Sequence, residues 1–273
     1  MSDRLGDGRA ALPLRALVPN AITMLALCSG ASGVRFAFEG AFEKAAAAIV
    51  IAALLDGIDG RVARLLHGTS RFGAELDSLS DVIAFGVAPA FILYLWALQD
   101  LGRVGWVVAL ALAVACALRL ARFNTEIDRE DRPRKELGFT TGVPAPAGAG
   151  MALMPLFWDL ATDGGLSANP DLRVIVAAVI TAVAAFLMVS TLPGWTFRSI
   201  RIPRSARFFA LAAVGLFAAA ATQVPWTMLF LFGLAYALSF PFASLQYARL
   251  RRQGYPKLAQ TLVPPPEDID PAG

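Results

Sequence analysis

The chain has 273 residues, of which 57% are hydrophobic and only 16% are charged, and its formal net charge at pH 7 is +3. One soluble core cannot bury that much apolar sequence, so the composition excludes a soluble globular domain and indicates an all-α protein that crosses a membrane several times. We therefore expect membrane lipids as its surroundings and no nucleic-acid partner.

Eight stretches of the sequence are long and apolar enough to cross a bilayer as helices, which takes about 17 to 25 residues each. The predicted spans cover residues 19–38, 42–66, 76–97, 104–123, 143–160, 172–192, 207–224 and 226–247. No Ser/Gly-rich linker separates them, so residues 17–248 are predicted to form one membrane-embedded domain. Residues 1–16 are predicted to be an interfacial arm or, alternatively, a disordered leader, and residues 249–273 a flexible cytoplasmic tail.

Basic residues are distributed unevenly between the two sides of the predicted membrane domain. With eight spans both termini lie on the same side, and 20 of the 24 Lys and Arg residues fall on that side. Three fall on the opposite side, and Arg35 lies inside the first span. Because cytoplasmic loops carry an excess of Lys and Arg, both termini are predicted to be cytoplasmic.

Four aspartates lie where the second predicted span ends and the third begins, at the cytoplasmic face. Asp56 and Asp59 are three residues apart and Asp77 and Asp81 are four apart, so each pair lies on one face of its helix. A carboxylate at the edge of the hydrocarbon is normally neutralised, paired or bound to metal. Two facing pairs of oxygen ligands suit Mg²⁺ or Mn²⁺, and two such ions can hold a diphosphate. The alternative is that these acids only stabilise helix dipoles or meet arginines.

The spacing around these aspartates resembles the signature of the CDP-alcohol phosphotransferase family. All eight motif positions are filled, by Asp56, Asp59, Gly60, Ala63, Arg64, Gly73, Asp77 and Asp81. The segments 17–23, 77–90, 119–124 and 142–147 resemble the branch of that family that makes phosphatidylserine. The resemblance extends from about Leu17 to Ala147, and beyond it only hydropathy supports the assignment.

The resemblance implies transfer of the phosphatidyl group of CDP-diacylglycerol to the hydroxyl of L-serine, with CMP leaving. It implies two divalent cations, Mg²⁺ or Mn²⁺, held by Asp56, Asp59, Asp77 and Asp81, and a homodimer in the bacterial inner membrane with its active site facing the cytoplasm. Asp81 lies one turn deeper on its helix than Asp77. It is therefore the candidate catalytic base that takes the proton of the acceptor hydroxyl.

The motif also supplies candidate residues for binding CDP-diacylglycerol. Gly60, like Gly57, is unfavourable inside a helix, so its presence points either to close helix packing or to a ligand that approaches the backbone. The resemblance favours the ligand, with Gly60, Ala63 and Gly73 admitting the cytidine and its phosphates. Arg64, one turn beyond Gly60, is predicted to bind a phosphate, although the positive-inside rule explains most arginines here.

Candidates for binding the acceptor lie at the cytoplasmic end of the fourth span. Arg119, Arg122 and Asn124 can hold the carboxylate of an amino acid, although arginines that snorkel at a helix end are the ordinary case. Residues alone leave the acceptor open among serine, glycerol 3-phosphate, inositol phosphate and choline. A cation transporter is the alternative of a different class, because acids within a membrane often mark ion paths.

Overall fold

The structure is a computed structural model that describes residues 14–66, 70–126, 139–190, 193–195, 219–220 and 222–252. The helices in this part of the chain are α1 Leu14–Phe38, α2 Phe42–Leu65, α3 Arg71–Asp81, α4 Ala88–Trp96, α5 Arg103–Glu126, α6 Ala145–Ala152, α7 Met154–Ala161, α8 Pro170–Val189 and α9 Pro225–Arg252. A π-helix, Val82–Val87, joins α3 to α4, and a 3₁₀-helix, Leu98–Leu101, precedes α5.

Within the described part of the chain, four helical stretches are long and apolar enough to cross a membrane, namely Leu17–Phe38, Arg71–Trp96, Arg103–Thr125 and Pro170–Val189. They correspond to the first, third, fourth and sixth predicted spans. Large apolar side chains on them are exposed, among them Leu110 and Phe186, as expected where a helix faces lipid rather than water. The composition and this arrangement agree that the protein is an integral membrane protein.

The remaining predicted spans differ from these four in several ways. Helix α2 covers the second predicted span but carries charged residues at both of its ends. The fifth is divided between α6 and α7, which meet at Leu153, because Pro155 cannot donate a backbone hydrogen bond to continue α6. Most of the seventh, residues 207–224, lies outside the described residues, as do most of the predicted arm and tail. The eighth lies within the longer helix α9.

A short pair of strands was not predicted from the sequence. Two strands of three residues, β1 Phe139–Thr141 and β2 Pro193–Trp195, pair antiparallel with Phe139 opposite Trp195 and Thr141 opposite Pro193. The all-α prediction is therefore correct for nearly all of the described chain and misses this short pair. Each strand lies beyond the end of a long helix, so the pair joins the segments that follow α5 and α8.

Small residues set how closely α1 and α2 pack. Ala45 and Ala52 of α2 are fully buried, and a Cβ added at Gly33 of α1 would lie 3.2 Å from the Ala45 carbonyl oxygen. Helices in membranes pack closely through such small residues. The antiparallel α1–α2 pair therefore places the first half of α1 beside the aspartate-bearing end of α2.

Further small residues surround the π-helix that follows Asp81. A Cβ added at Gly86 would lie 2.8 Å from the Cys116 Cβ of α5, and one added at Gly30 of α1 would lie 2.8 Å from the Ala84 Cα. The π-helix thus fits between α1 and α5 only because both glycines lack a side chain. These two contacts hold the π-helix in place, and with it the end of α3 where Asp77 and Asp81 lie.

Candidate active site

Two helix ends bring the aspartates together. Asp56 and Asp59 lie in the last three turns of α2, and α3 begins directly after its N-cap residue Ser70, whose Oγ accepts a hydrogen bond from the Gly73 N–H (3.0 Å). Such a cap satisfies one of the free amides of the first turn. With α3 started there, Asp77 and Asp81 follow on the face turned towards α2.

Three of the four carboxylates form a compact cluster. Asp56, Asp59 and Asp77 each offer an oxygen, and these oxygens all lie within 4.8 Å of one another. Asp59 is buried at 5% exposure, while Asp56 and Asp77 are half-buried. Among the described residues, none of the three forms a salt bridge with Lys or Arg.

This cluster fits a divalent cation by its donor chemistry. Three carboxylate oxygens at this spacing repel one another in a site largely removed from water, and a hard cation with oxygen ligands relieves that repulsion. The alternative that these acids only stabilise helix dipoles does not account for the cluster, because Asp56 and Asp59 lie near the C-terminal end of α2, which is the negative end of its dipole.

Asp81 lies beside the cluster rather than in it. Its carboxyl group is next to that of Asp56, and the guanidinium of Arg119 on α5 is close to both. The Cys116 thiol makes a weak contact of 3.9 Å with the Asp81 carbonyl oxygen. The structure thus separates Asp81 from the three other aspartates by its neighbours.

An open cleft of about 140 Å³ borders the cluster. Its lining includes Gly60, Ala63 and Gly73 together with the acids Asp59 and Asp77. A Cβ added at Gly60 would meet nothing within 4 Å, so helix packing does not explain this glycine. Gly73 differs, because a Cβ there would lie 2.8 Å from the Asn20 Oδ1 of α1. Arg64 is exposed, one turn beyond Gly60, and is not among the lining residues.

The three candidate acceptor residues have different surroundings. The buried Nε of Arg119 has no hydrogen-bond partner among the described residues. Arg122 instead donates through Nη1 to the Val189 carbonyl oxygen (2.8 Å), which holds the end of α8. Asn124 donates through Nδ2 to Ser78 Oγ (3.0 Å), which joins α5 to α3. Only Arg119 therefore combines an unused donor with a position beside Asp81.

Two neighbours of the site were not identified from the sequence as site residues. Thr23 of α1 is buried and donates to Asp59 Oδ2 at 2.7 Å. Tyr236 of α9 lies close to Arg119. Thr23 belongs to the segment 17–23, and the resemblance of that segment to the family was the one sequence signal that could have identified Thr23 as a site residue. Nothing in the sequence connects Tyr236 with Arg119, which lies more than a hundred positions earlier.

The fold and the site define a class, namely helical membrane proteins with a cluster of aspartates between two helices. Comparison of the sequence with known protein families identifies the family. Residues 16–189 match the family model for CDP-alcohol phosphatidyltransferase, and the chain belongs to that family. The resemblance inferred from the motif is thereby confirmed.

The curated relatives are similar in name to one another. The chain is 38% identical over 238 residues to a CDP-diacylglycerol–serine O-phosphatidyltransferase of Mycobacterium tuberculosis, which covers 86% of this chain and 80% of the relative. It is 40% identical over 143 residues to the Helicobacter pylori protein of that name, covering 52% of this chain and 58% of the relative. An archaetidylserine synthase of Methanothermobacter thermautotrophicus is 38% identical over 112 residues, covering 39% of this chain and 46% of the relative.

Proposed function

We propose that the protein transfers the phosphatidyl group of CDP-diacylglycerol to the hydroxyl of L-serine, giving phosphatidylserine and CMP. The observation that carries this proposal is the position of the carboxylate cluster beside an open cleft lined by Gly60, Ala63 and Gly73. These are motif positions of the family to which the chain belongs. Serine as the acceptor is supported by the names of the relatives.

The metal site is proposed to hold Mg²⁺ or Mn²⁺ through Asp56, Asp59 and Asp77, with Asp81 contributing beside Asp56 where a second ion binds. When bound, divalent cations offset the negative charge of the diphosphate and of the departing CMP. The cluster of three oxygens supports one ion directly. The adjacent carboxyl of Asp81 supports the second.

The donor is proposed to bind in the cleft with its nucleotide against α2. Gly60 and Ala63 leave the backbone of α2 accessible, so the cytidine and its phosphates can approach it. Arg64 is exposed one turn further along. The guanidinium of Arg64 is proposed to bind a phosphate oxygen of the donor, a role for which its planar set of N–H donors is suited.

The acceptor is proposed to bind between Asp81 and Arg119. The guanidinium of Arg119 binds the serine carboxylate, and Asp81 accepts the hydroxyl proton as the serine oxygen forms its bond to phosphorus and the bond from phosphorus to CMP breaks. The unpartnered Nε of Arg119 among the described residues supports this placement. Arg122 and Asn124 are proposed to hold α5 in place through their hydrogen bonds to α8 and α3.

The proposed function is tested with purified protein reconstituted with CDP-diacylglycerol and Mn²⁺. We expect CMP release with L-serine, and a lipid product that carries the serine label. Glycerol 3-phosphate, inositol phosphate and choline are supplied in turn as alternative acceptors. CMP release with one of these and none with serine would assign a different acceptor, whereas Mn²⁺ flux across proteoliposomes without nucleotide would favour the transporter.

The eight-span topology is also part of the proposal, with both termini and the active site at the cytoplasmic face of a bacterial inner membrane and a homodimer as the assembly. The distribution of Lys and Arg supports the orientation. Serine and CMP are then exchanged with the cytosol while the acyl chains of donor and product stay in the bilayer. The homodimer is supported by the family resemblance alone.

A further inference from the structure

A hydroxyl from α1 holds one of the proposed metal ligands. Thr23 and Asp59 are both 5% exposed, and the Thr23 Oγ1 donates to Asp59 Oδ2 at 2.7 Å. The same hydroxyl is 3.1 Å from the Pro19 carbonyl oxygen one turn earlier. Its single proton favours the carboxylate, because that contact is shorter and charge-assisted hydrogen bonds are the stronger kind.

Thr23 is also connected to the helix that carries the other pair of aspartates. Its backbone carbonyl oxygen accepts a hydrogen bond from Ser80 Oγ at 3.1 Å, and Ser80 is buried at 3% exposure. Ser80 directly precedes Asp81 in α3. One residue of α1 therefore contacts α2 through its side chain and α3 through its backbone.

We propose that Thr23 is a positioning residue for the metal site, an inference that rests on the proposed function of the aspartate cluster. With Oδ2 of Asp59 bound to Thr23, the orientation of the carboxylate is fixed and Oδ1 is left for the cation. Hydrogen bonds to ligating groups commonly change metal affinity by about 10- to 100-fold when they are lost. Thr23 also lines the cleft, and its hydroxyl proton is bound to Asp59, so the role proposed for it is to orient that carboxylate.

The test uses the full-length protein in nanodiscs and measures Mn²⁺ binding directly by electron paramagnetic resonance, without substrate. Thr23→Val replaces the hydroxyl with a methyl group of similar size and should weaken Mn²⁺ binding by about 10- to 100-fold. Thr23→Ser keeps the hydroxyl and should bind Mn²⁺ within about threefold of the wild type. The Mn²⁺ concentration for half-maximal CMP release should shift in parallel.

Ser29→Ala is the matched control. Ser29 is also on α1, and its Oγ donates to α2 at the Ala48 carbonyl oxygen (2.7 Å), away from the aspartates. This variant removes an α1–α2 hydrogen bond of the same length without touching Asp59, so its Mn²⁺ affinity should equal that of the wild type. Where Thr23→Val is not monodisperse, Thr23→Ala removes the same hydroxyl and gives the same readout.

Three results would overturn the proposal: unchanged Mn²⁺ affinity in Thr23→Val, an equal loss in Ser29→Ala, or a loss in Thr23→Ser as large as in Thr23→Val. Failure of the metal site itself is distinguishable from these results. In that case the wild-type protein binds no Mn²⁺, which overturns the metal site and the role of Thr23 together.

Discussion

At the scale of single residues, the four aspartates divide by their neighbours. Asp59 is held by a hydroxyl of α1, and its oxygens cluster with those of Asp56 and Asp77. Asp81 instead lies beside Asp56 and near the guanidinium of Arg119. Residues of one type and one motif thus have different surroundings, and the difference in surroundings is what supports different roles.

Asp81→Asn should abolish turnover while largely preserving binding of CDP-diacylglycerol. The amide keeps the size of the carboxylate but cannot accept the proton of the serine hydroxyl. The measurements are single-turnover CMP release and CDP-diacylglycerol affinity on the same preparation. Loss of affinity equal to the loss of rate would show that Asp81 is a ligand rather than a base.

Arg119→Lys should raise the KM for serine with a smaller effect on CDP-diacylglycerol binding. A lysine keeps the charge but loses the fork of donors, and a charged hydrogen bond contributes about 1.5 to 3 kcal/mol, which corresponds to about 10- to 100-fold in KM. Steady-state kinetics with serine as the varied substrate measure this change. Arg122→Lys is the control, since Arg122 is bound to the Val189 carbonyl oxygen, and an equal rise in its KM would contradict the assignment.

At the scale of the elements, the two glycines of α2 differ in whether they line the cleft. A Cβ at either Gly57 or Gly60 would meet nothing within 4 Å. Gly60 lines the cleft, whereas Gly57 is exposed and does not line it. The close packing of helices that the sequence leaves open as an explanation is therefore not what either glycine provides in the described structure.

Replacing each glycine by alanine separates helix stability from donor binding. Gly57→Ala and Gly60→Ala should each stabilise α2 by up to about 1 kcal/mol, because glycine is the poorer helix former. Only Gly60→Ala should weaken binding of CDP-diacylglycerol, since its new methyl group enters the cleft. Thermal unfolding and donor affinity measure the two effects, and equal affinity in both variants would remove Gly60 from the binding site.

Helices α1, α2 and α5 were predictable because their apolar runs are long, whereas α3 and α4 were predicted as a single span over residues 76–97. The π-helix Val82–Val87 was not, since its residues are as apolar as those of α4 and only contacts such as Gly86 with Cys116 select it. The break at Leu153 was missed although Pro155 signals it, because hydropathy averaged across both short helices. The hydrogen bond from Thr23 to Asp59 spans 36 residues, a distance over which a sequence pattern specifies no contact.

At the scale of the whole molecule, the four motif aspartates lie at the same end of the bundle as Arg119 and Arg122. The aspartate-bearing ends of α2 and α3, the end of α5 with Arg122 and the end of α8 at Val189 meet there. The opposite end carries the turn at Gly40 and the loop after α7, where the buried Asp159 accepts hydrogen bonds from Leu166 N, Ser167 N and Ser167 Oγ. The end with the four aspartates is therefore the one at which we propose the reaction, and the opposite end contains turns that connect the helices.

The proposed orientation predicts which residues are labelled from outside the cell. In a background of Cys28→Ala and Cys116→Ser, a single Asp163→Cys should react with a membrane-impermeant maleimide in intact cells. A single Arg71→Cys should react only after lysis, because it lies at the aspartate end. Both wild-type positions are exposed side chains. The reverse labelling pattern would place the active site outside the cytoplasm.

The close packing of Gly33 against Ala45 has a consequence for how the protein can diversify. Ala45 is 14 residues before Asp59, so the two lie about 20 Å apart along α2, and the contact of Gly33 with Ala45 and the hydrogen bond from Thr23 to Asp59 join the same pair of helices. We expect an added methyl group at Gly33 to shift α1 relative to α2 by a few tenths of an ångström. The dimensions of the cleft beside Asp59 can therefore be altered by residues that do not line it.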